Sequence, residues 1–251
     1  MARIFCLLSL VVLVASFPLI SKFVSGVKRQ DREEIEAIIE EYIYKNPHKV
    51  ITALSKGQVA MNEVEMRRKV AENRTALEDV SYPSFGNKES KVLLVEFFDF
   101  SCGYCKSMLS HVKQLLEDGE VRIVFRDLPT LGEASMLAAR TALAIYFVNP
   151  EKYIDFYYAA LGHNRRFTDD EVPDIAESVG IKKEDLRKSL EQNDSKISAM
   201  IAATRELAER LNIGGTPSVV VGDTVLVGAS DLKTLRDLIQ GATQGNDKKH
   251  K

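Results

Sequence analysis

Cys102 and Cys105, two cysteines separated by two residues, are the residues whose type and spacing point most directly to chemistry. They follow an apolar run typical of a buried strand and open a segment with helical character. At the start of a helix, free backbone N–H groups and the helix dipole favour an anionic sulfur. The spacing also lets the second sulfur close a disulfide with the first. The pattern therefore predicts a redox pair in which Cys102 attacks a substrate disulfide and Cys105 resolves the mixed disulfide.

A metal site is the main alternative for a cysteine pair. Structural zinc usually needs a second cysteine pair or histidines at ligand spacing. The third cysteine, Cys6, lies far away in an N-terminal apolar run, and the four histidines are scattered at positions 48, 111, 163 and 250. We therefore expect no metal and no other cofactor, and keep a soft-metal thiol site for Cu(I) as an alternative.

Glu96 is a carboxyl inside an apolar run, residues 91–98, six residues before Cys102. A run that is apolar on both faces is typical of a central strand. A lone buried carboxyl is costly and has a raised pKa, so we expect Glu96 to relay a proton to or from Cys105. The alternative is a position at the sheet edge, with Glu96 in a surface ion pair.

Thr216 and Pro217 follow two glycines and open a later strand. A cis peptide bond before the proline would expose backbone groups of Thr216 for pairing with an extended substrate. Proline is also tolerated at the first position of a strand without any function, so the pattern leaves both interpretations open.

The composition excludes several classes of protein. The chain has 251 residues, with 34 Lys and Arg against 36 Asp and Glu, which gives a net charge of −2. Without a basic excess, nucleic-acid binding is not expected. A hydrophobic fraction of 45% excludes a wholly disordered chain, and three cysteines are too few for a disulfide-stapled scaffold.

The periodicity of apolar residues predicts the order β-α-β, then a block of helices, then β-β-α. The predicted strands are 91–98, 121–126, 217–221 and 224–227, and the predicted helices are 103–116, 135–148, 151–161, 169–179, 183–192, 195–211 and 231–239. The Gly222-Asp223 pair between the last two strands is typical of a hairpin turn, and Asp231 is placed to cap the last helix.

Residues 1–26 have the pattern of a secretory signal peptide: an early Arg3, an apolar run over 4–20 and small residues at 24–26. We therefore expect an exported, periplasmic protein. An uncleaved membrane anchor is the alternative, because the 17-residue run lies at the lower limit for spanning a bilayer.

The segment from 27 to 80 is charged and helix-prone. Its first part carries one apolar helical stripe, formed by Ile35, Ile38, Ile39, Tyr42 and Ile43. Asn46-Pro47 is expected to end that helix, and Gly57 to break the pattern that follows. This segment is either a solvated helix that folds back on the domain or an oligomerisation arm whose isoleucines pack against other copies.

Three runs together resemble the DsbA-type thiol–disulfide oxidoreductases. They are the active-site run 97–106, the Arg-Asp-Leu-Pro-Thr-Leu-Gly stretch 126–132 with Ala-Ala-Arg at 138–140, and Thr216-Pro217. The resemblance covers about residues 85–240. It implies a nucleophilic Cys102, a resolving Cys105, and substrate contacts by the Thr216–Pro217 loop and by Gly103 and Tyr104 between the cysteines.

The implied fold is an α/β thioredoxin fold with an inserted helical domain, preceded by an N-terminal helical oligomerisation arm. The expected organisation is a signal peptide at 1–26, an arm and linker at 27–80, the first part of the thioredoxin domain at 81–131, the inserted helical domain at 132–212, the second part of the thioredoxin domain at 213–241 and a disordered tail at 242–251.

Two features resemble the isomerases of this family more than its strong oxidase. The dipeptide is Gly103-Tyr104, where the oxidase has Pro-His, and a threonine precedes the proline. The arm, with Tyr42, Asn46-Pro47, Val50-Ile51 and Ala53-Leu54, is similar to the stalk of ScsC-type proteins.

The resemblance implies a disulfide isomerase that forms a small homo-oligomer, with a trimer favoured. Its partners would be exported proteins with reduced or wrong disulfides and a membrane redox protein. The alternatives are a monomeric, disulfide-donating oxidase and, from another class, a non-enzymatic holdase or Cu(I)-binding protein.

Overall fold

The computed structural model of the protein describes residues 29–163, 167–168 and 171–249. The chain divides into two compact units, Met1–Met61 and Asn62–Lys251. The predicted signal peptide, residues 1–26, lies outside the described residues. Across the described ranges, no helix combines the length and the apolar character needed to cross a membrane.

The N-terminal region is helical, as predicted, with α1 at Arg29–Lys45 and α2 at Pro47–Glu72. The first helix ends where expected: the Asn46 side-chain amide donates to the Tyr42 carbonyl at 3.0 Å, and a proline such as Pro47 suits the first position of a new helix. The predicted break at Gly57 is wrong, because α2 continues through it. One interior glycine costs about 1 kcal/mol relative to alanine, which is too little to stop a helix of 26 residues.

The apolar stripe of α1 is about half exposed within its own chain. Exposure ranges from 46% to 59% for the five side chains that the sequence singled out, Ile35, Ile38, Ile39, Tyr42 and Ile43. A surface helix normally buries such a stripe against a core. This helix leaves a large apolar surface in contact with water.

The second unit is built on one five-stranded sheet. Its strands are β1 (Ser84–Gly86), β2 (Leu93–Phe98), β3 (Arg122–Asp127), β4 (Ser218–Val221) and β5 (Thr224–Val227), in the spatial order β1-β3-β2-β4-β5. β2 pairs parallel with β3 and antiparallel with β4. The C-terminal ends of β2 and β3 and the N-terminal end of β4 therefore lie side by side at the same end of the strands. The sequence pattern missed β1, which has only three residues.

Helices cover both faces of the sheet. They are α3 (Arg74–Leu77), α4 (Gly103–Asp118), α5 (Glu133–Val148), α6 (Lys152–Gly162), α7 (Glu171–Ser178), α8 (Lys183–Gln192), α9 (Asp194–Arg210) and α10 (Leu232–Lys249). The larger core cluster packs β2 and β3 against α4, α5 and α6. The smaller one packs the other face against α9 and the segment that contains Val70, Leu77 and Tyr82. The predicted order, with a helical block between β3 and β4, is confirmed.

The last helix differs from the prediction at its end. Asp231 caps it as expected, since its carboxylate accepts from the Thr234 amide at 2.8 Å. The helix was expected to end near 239, with a disordered tail from 242, but it continues to Lys249. The prediction was wrong because no proline interrupts 240–249, and the Thr243 hydroxyl donates back to the Ile239 carbonyl at 3.0 Å, as in a continuing helix.

Candidate active site

Cys102 follows the C-terminal end of β2, where the C-terminal end of β3 and the N-terminal end of β4 also lie. It is the N-terminal capping residue of α4, with extended backbone angles of φ −79° and ψ 118°, and its amide donates to the Asp99 carbonyl at 3.0 Å. Its thiol donates to the Thr216 carbonyl oxygen at 3.3 Å, and only 6% of the residue is exposed. This placement puts Cys102 at the N-terminus of the helix, as the sequence indicated.

Cys105 lies inside the first turn of α4 and is fully buried. Both cysteines are free thiols in this structure. Burial raises the pKa of the Cys105 thiol far above its ordinary value, and the nearby Glu96 and Cys102 raise it further, against a main-chain hydrogen bond from Asp99. Cys105 therefore needs a proton acceptor before it can act as a nucleophile.

Glu96 lies in the central strand, not at the edge of the sheet, and is fully buried. This placement excludes the alternative of a surface ion pair. The hydroxyl of Tyr157 on α6 donates to both carboxylate oxygens, at 2.9 and 3.2 Å. Burial raises the pKa of Glu96 to about 7, and the bond from Tyr157 opposes that shift. A carboxyl with this pKa exchanges its proton near neutral pH.

The Thr216–Pro217 loop lies on the β4 side of Cys102. The peptide bond between these residues is cis, the geometry that the sequence analysis considered. The Pro217 carbonyl accepts from the Gly228 amide at 2.8 Å, and the Ser218 hydroxyl donates to the Gly215 carbonyl at 2.8 Å. These bonds fix the loop that faces the Cys102 sulfur.

Gly103 and Tyr104, the residues between the cysteines, lie on the outer surface of the site. A Cβ atom at Gly103 would meet no neighbouring atom within 4 Å, and Tyr104 is 71% exposed. Both positions are open to a substrate polypeptide. Their role in substrate contact stays a prediction.

Asp99 is a site residue that the sequence analysis did not single out. It is buried, and its carboxylate accepts from the main-chain amides of Ser101 at 2.8 Å, Thr130 at 2.7 Å and Leu131 at 3.1 Å. It thereby joins the segment that carries Cys102 to the loop after β3. The only local signal was a carboxyl between two phenylalanines, three residues before the first cysteine.

Two charged residues near the end of β3 were also missed as buried groups. Asp127 accepts from the Tyr153 hydroxyl at 3.0 Å, and burial raises its pKa to about 8. Arg126 points to the opposite face, where its guanidinium lies 3.3 Å from the centre of the Tyr82 ring and donates to the Ala76 carbonyl. In the sequence, the stretch 126–132 was recognised only as one of the three runs that resemble DsbA-type oxidoreductases.

Metal binding finds no support in the described part of the chain. Within it, no group of three or more His, Cys, Asp or Glu side chains is arranged to hold a metal ion.

Comparisons with known proteins identify the family to which the chain belongs. The family model described as thioredoxin matches residues 78–241. The thiol–disulfide exchange protein alpha-DsbA2 from Wolbachia pipientis is 41% identical and superposes with a TM-score of 0.71, covering 72% of this chain and 97% of that one.

Two further relatives have related names. The catalytic domain of Proteus mirabilis ScsC is 27% identical, with a TM-score of 0.63, and covers 70% of this chain and 97% of that one. Disulfide bond formation protein D of Bacillus subtilis is 26% identical over 175 residues, which are 65% of this chain and 78% of that protein. The thioredoxin fold that the sequence predicted is confirmed. The chain belongs to the thioredoxin family and is a thiol–disulfide oxidoreductase of the DsbA-like kind.

Proposed function

We propose that this protein is a disulfide isomerase of exported proteins and acts in the periplasm. The observation that carries the proposal is the Cys102 thiol, held 3.3 Å from the carbonyl of Thr216. A threonine at this position and the Gly103-Tyr104 dipeptide resemble isomerases more than the strong oxidase. The exposed stripe of α1 supports assembly into an oligomer.

The reaction begins when the Cys102 thiolate attacks a wrong disulfide in a substrate. The substrate S–S bond breaks, a mixed disulfide forms, and a substrate thiolate leaves and takes up a proton. Attack by a second substrate thiolate on the mixed disulfide then forms a new substrate disulfide and releases Cys102 as a thiolate. This cycle leaves the numbers of disulfides and thiols unchanged, so it consumes no oxidant.

Cys105 resolves a mixed disulfide that does not rearrange. Its sulfur attacks Cys102, which yields the Cys102–Cys105 disulfide and a reduced substrate thiol, and its proton passes to the Glu96 carboxylate. Two electrons move from the protein dithiol to the substrate. A membrane redox protein must then supply two further electrons to reduce the Cys102–Cys105 disulfide, and Glu96 gives its proton back to the Cys105 sulfur.

The arm is the second element of the proposal. Five large apolar side chains of α1 are each about half exposed, and burying the exposed half of such a side chain contributes about 0.7–1.5 kcal/mol. We propose that these stripes pack against one another in a homo-oligomer, with a trimer favoured, because several active sites around a shared space retain a misfolded substrate.

The periplasmic location rests on the signal-peptide pattern of residues 1–26. A similar solved structure, 26% identical and with a TM-score of 0.60, is described as a periplasmic thioredoxin-like protein from Salmonella enterica serovar Typhimurium. Export would also place the dithiol among substrates that form disulfides.

A monomeric, disulfide-donating oxidase is the second candidate. It is favoured by the name of the Bacillus subtilis relative, a disulfide bond formation protein. A non-enzymatic holdase or Cu(I)-binding protein is the third. Cys102→Ser separates an enzyme from a holdase, because it abolishes exchange, whereas a holdase would still suppress aggregation. The Cu(I) alternative is tested on the wild type, by whether it binds Cu(I) and loses that binding when Cys102 is replaced by serine.

Reactivation of scrambled ribonuclease tests the isomerase. Removal of the first 80 residues is unsuitable as an arm test, because Val70 and Leu77 pack in the smaller core cluster. The full chain carrying Ile35→Lys and Ile39→Lys keeps that core. We expect the wild type to reactivate ribonuclease as an oligomer, and the variant to be monomeric and much less active. If the wild type fails to reactivate but oxidises reduced ribonuclease, the oxidase is correct.

A further inference from the structure

Asp99 lies three residues before Cys102 and contacts both cysteines through its main chain. Its carbonyl oxygen accepts from the Cys102 amide at 3.0 Å, and a main-chain hydrogen bond from Asp99 also reaches the Cys105 sulfur. Neither contact uses the Asp99 side chain. The positions of the two sulfurs relative to one another therefore depend on how firmly the backbone at Asp99 is held.

The Asp99 carboxylate holds that backbone from two sides. Its Oδ1 accepts from the Ser101 amide at 2.8 Å, which closes the tight turn that an aspartate forms with the residue two positions later. Its Oδ2 accepts from the amides of Thr130 at 2.7 Å and Leu131 at 3.1 Å, in the segment that follows β3. One oxygen thus fixes the turn that leads to Cys102, and the other ties this turn to the neighbouring strand.

This arrangement requires an ionised carboxylate. The three partners are all N–H donors, so both side-chain oxygens must accept, whereas an asparagine side chain offers one acceptor oxygen and one NH₂ donor. Only 2% of Asp99 is exposed, so bulk water does not supply a replacement acceptor, and an unpaired N–H in such a place is costly. Asparagine therefore satisfies one side of the arrangement and turns a donor toward a donor on the other.

We propose that Asp99 is a positioning residue of thiol–disulfide exchange, whose carboxylate holds the turn before α4 so that the Cys105 sulfur can attack the sulfur of Cys102. The side chain acts through the backbone and touches neither the substrate nor the sulfurs. The inference rests on the thiol–disulfide oxidoreductase activity alone and applies equally to an isomerase and to an oxidase.

Closure of the Cys102–Cys105 disulfide is the step that depends most on this positioning. The attacking sulfur, the sulfur of Cys102 and the leaving sulfur must lie in line, and two of them belong to the protein. In such an intramolecular step a misplacement of about 1 Å costs about a hundredfold in rate. Attack of Cys102 on a free disulfide is less sensitive, because a small substrate in solution adapts its approach to the position of the sulfur.

Oxidised glutathione separates these two steps in the reduced, full-length protein. The Cys102 thiolate first attacks the glutathione disulfide, which forms a glutathione adduct and releases one glutathione. The Cys105 sulfur then attacks Cys102, which forms the protein disulfide and releases the second glutathione. The two released thiolates take up the two protons that the protein thiols give up, and two electrons pass from the dithiol to glutathione. Acid quenching and mass spectrometry of the intact protein give both rates.

Asp99→Asn should slow closure about tenfold to a hundredfold and change the first step by less than about threefold, so the glutathione adduct should accumulate. Asp99→Ser should behave in the same way, because one hydroxyl oxygen cannot serve both sides. It also provides the measurement if Asp99→Asn does not fold, which circular dichroism reports. A merely structural role would lower the free energy of unfolding and leave the ratio of the two rates in the folded protein at its wild-type value.

Asp79→Asn is the matched control. The Asp79 carboxylate closes the same kind of turn, accepting from the Ser81 amide at 2.9 Å. Its neighbours Leu77 and Tyr82 pack in the smaller core cluster, on the other face of the sheet from the larger cluster that contains the two cysteines. The single oxygen of an asparagine can serve this turn, so both rates should stay at the wild-type values.

The outcomes separate the positioning role from the activity itself. A folded Asp99→Asn or Asp99→Ser whose closure rate equals that of wild type would overturn the proposal. An equal slowing in Asp79→Asn would also overturn it, because the effect would then not be specific to Asp99. If the wild type does not react with oxidised glutathione, the failure lies in the exchange activity on which the proposal rests.

Discussion

Replacing Glu96 with glutamine should remove a pH-dependent loss of stability from the folded protein. Glu96 is fully buried, and burial raises its pKa from 4.5 to about 7. In the unfolded chain the same carboxyl loses its proton near pH 4.5. A group whose folded-state pKa is raised contributes stability that is fully present below the unfolded pKa. That stability declines as the pH rises between the two values and is lost above the folded pKa.

The size of the effect follows from the two pKa values. A shift from 4.5 to about 7 corresponds to at most about 3.5 kcal/mol, at about 1.4 kcal/mol per unit. Between about pH 5 and pH 8 the free energy of unfolding should fall by about 2.5 kcal/mol from this group alone, because part of the loss has already occurred by pH 5. Glutamine cannot ionise, and its carbonyl oxygen can still accept from the Tyr157 hydroxyl.

Urea unfolding at about pH 5 and pH 8, followed by circular dichroism with the thiols kept reduced by a phosphine, measures this difference. Glu96→Gln should become more stable relative to wild type by about 2.5 kcal/mol between the two pH values. Glu151→Gln makes the same chemical change at an exposed position and should follow wild type. Parallel losses in wild type and Glu96→Gln would refute the buried, titrating Glu96.

Cys105→Ala should accumulate mixed disulfides with substrates, because the resolving thiol is gone. Mass spectrometry of the intact adduct detects them, and adduct levels equal to wild type would contradict the resolving role of Cys105. Tyr157→Phe should raise the midpoint of the Glu96 carboxyl titration above about 7, because the hydrogen bond that lowers the pKa is lost; ¹³C NMR of labelled glutamate, assigned with Glu96→Gln, measures the shift. Tyr82→Ala should destabilise the protein by about 3–5 kcal/mol, since it opens a cavity and exposes the buried Arg126 guanidinium; urea unfolding tests it, and a loss below about 1 kcal/mol would show that the site collapses.

The sequence predicted the dithiol and the central strand because each has a local signal, whereas the local pattern at Thr216-Pro217 left the cis peptide bond open. A cysteine pair after an apolar run can be recognised within ten residues, and the burial of Glu96 follows from apolar neighbours on both sides. Asp99 could not be recognised in this way. Two of its amide donors, Thr130 and Leu131, lie more than 30 residues away in sequence, and only the pairing of β2 with β3 brings them together.

The predicted break at Gly57 and the predicted disordered tail are wrong because each relies on a local feature alone. At Gly57 the local signal overstates the effect, because a helix that is already formed tolerates an isolated glycine at a cost of about 1 kcal/mol. In the tail, position near the chain end predicts disorder, but the last helix continues to Lys249. Arg126 illustrates a further limit, since a buried guanidinium is rare and here depends on Tyr82 and the Ala76 carbonyl from a distant segment. Such contacts belong to the tertiary fold and leave no periodic pattern.

The buried groups around the dithiol bear on the choice between isomerase and oxidase. An oxidase gains driving force when its reduced form is stabilised and its disulfide is passed on quickly. Here the resolving thiol of Cys105 is deeply buried, with its pKa raised far above the ordinary value. It can lose its proton only to an acceptor such as Glu96, whose own pKa is about 7.

Below that pH Glu96 holds its proton and cannot accept another, so attack by Cys105 should be slow and a mixed disulfide on Cys102 should persist. Isomerisation needs this long-lived attachment, because the substrate must rearrange before it is released. Oxidation gains nothing from it. If Glu96 controls resolution, the ratio of rearranged to reduced product should therefore fall as the pH rises through about 7, and Glu96→Gln should keep that ratio high at every pH.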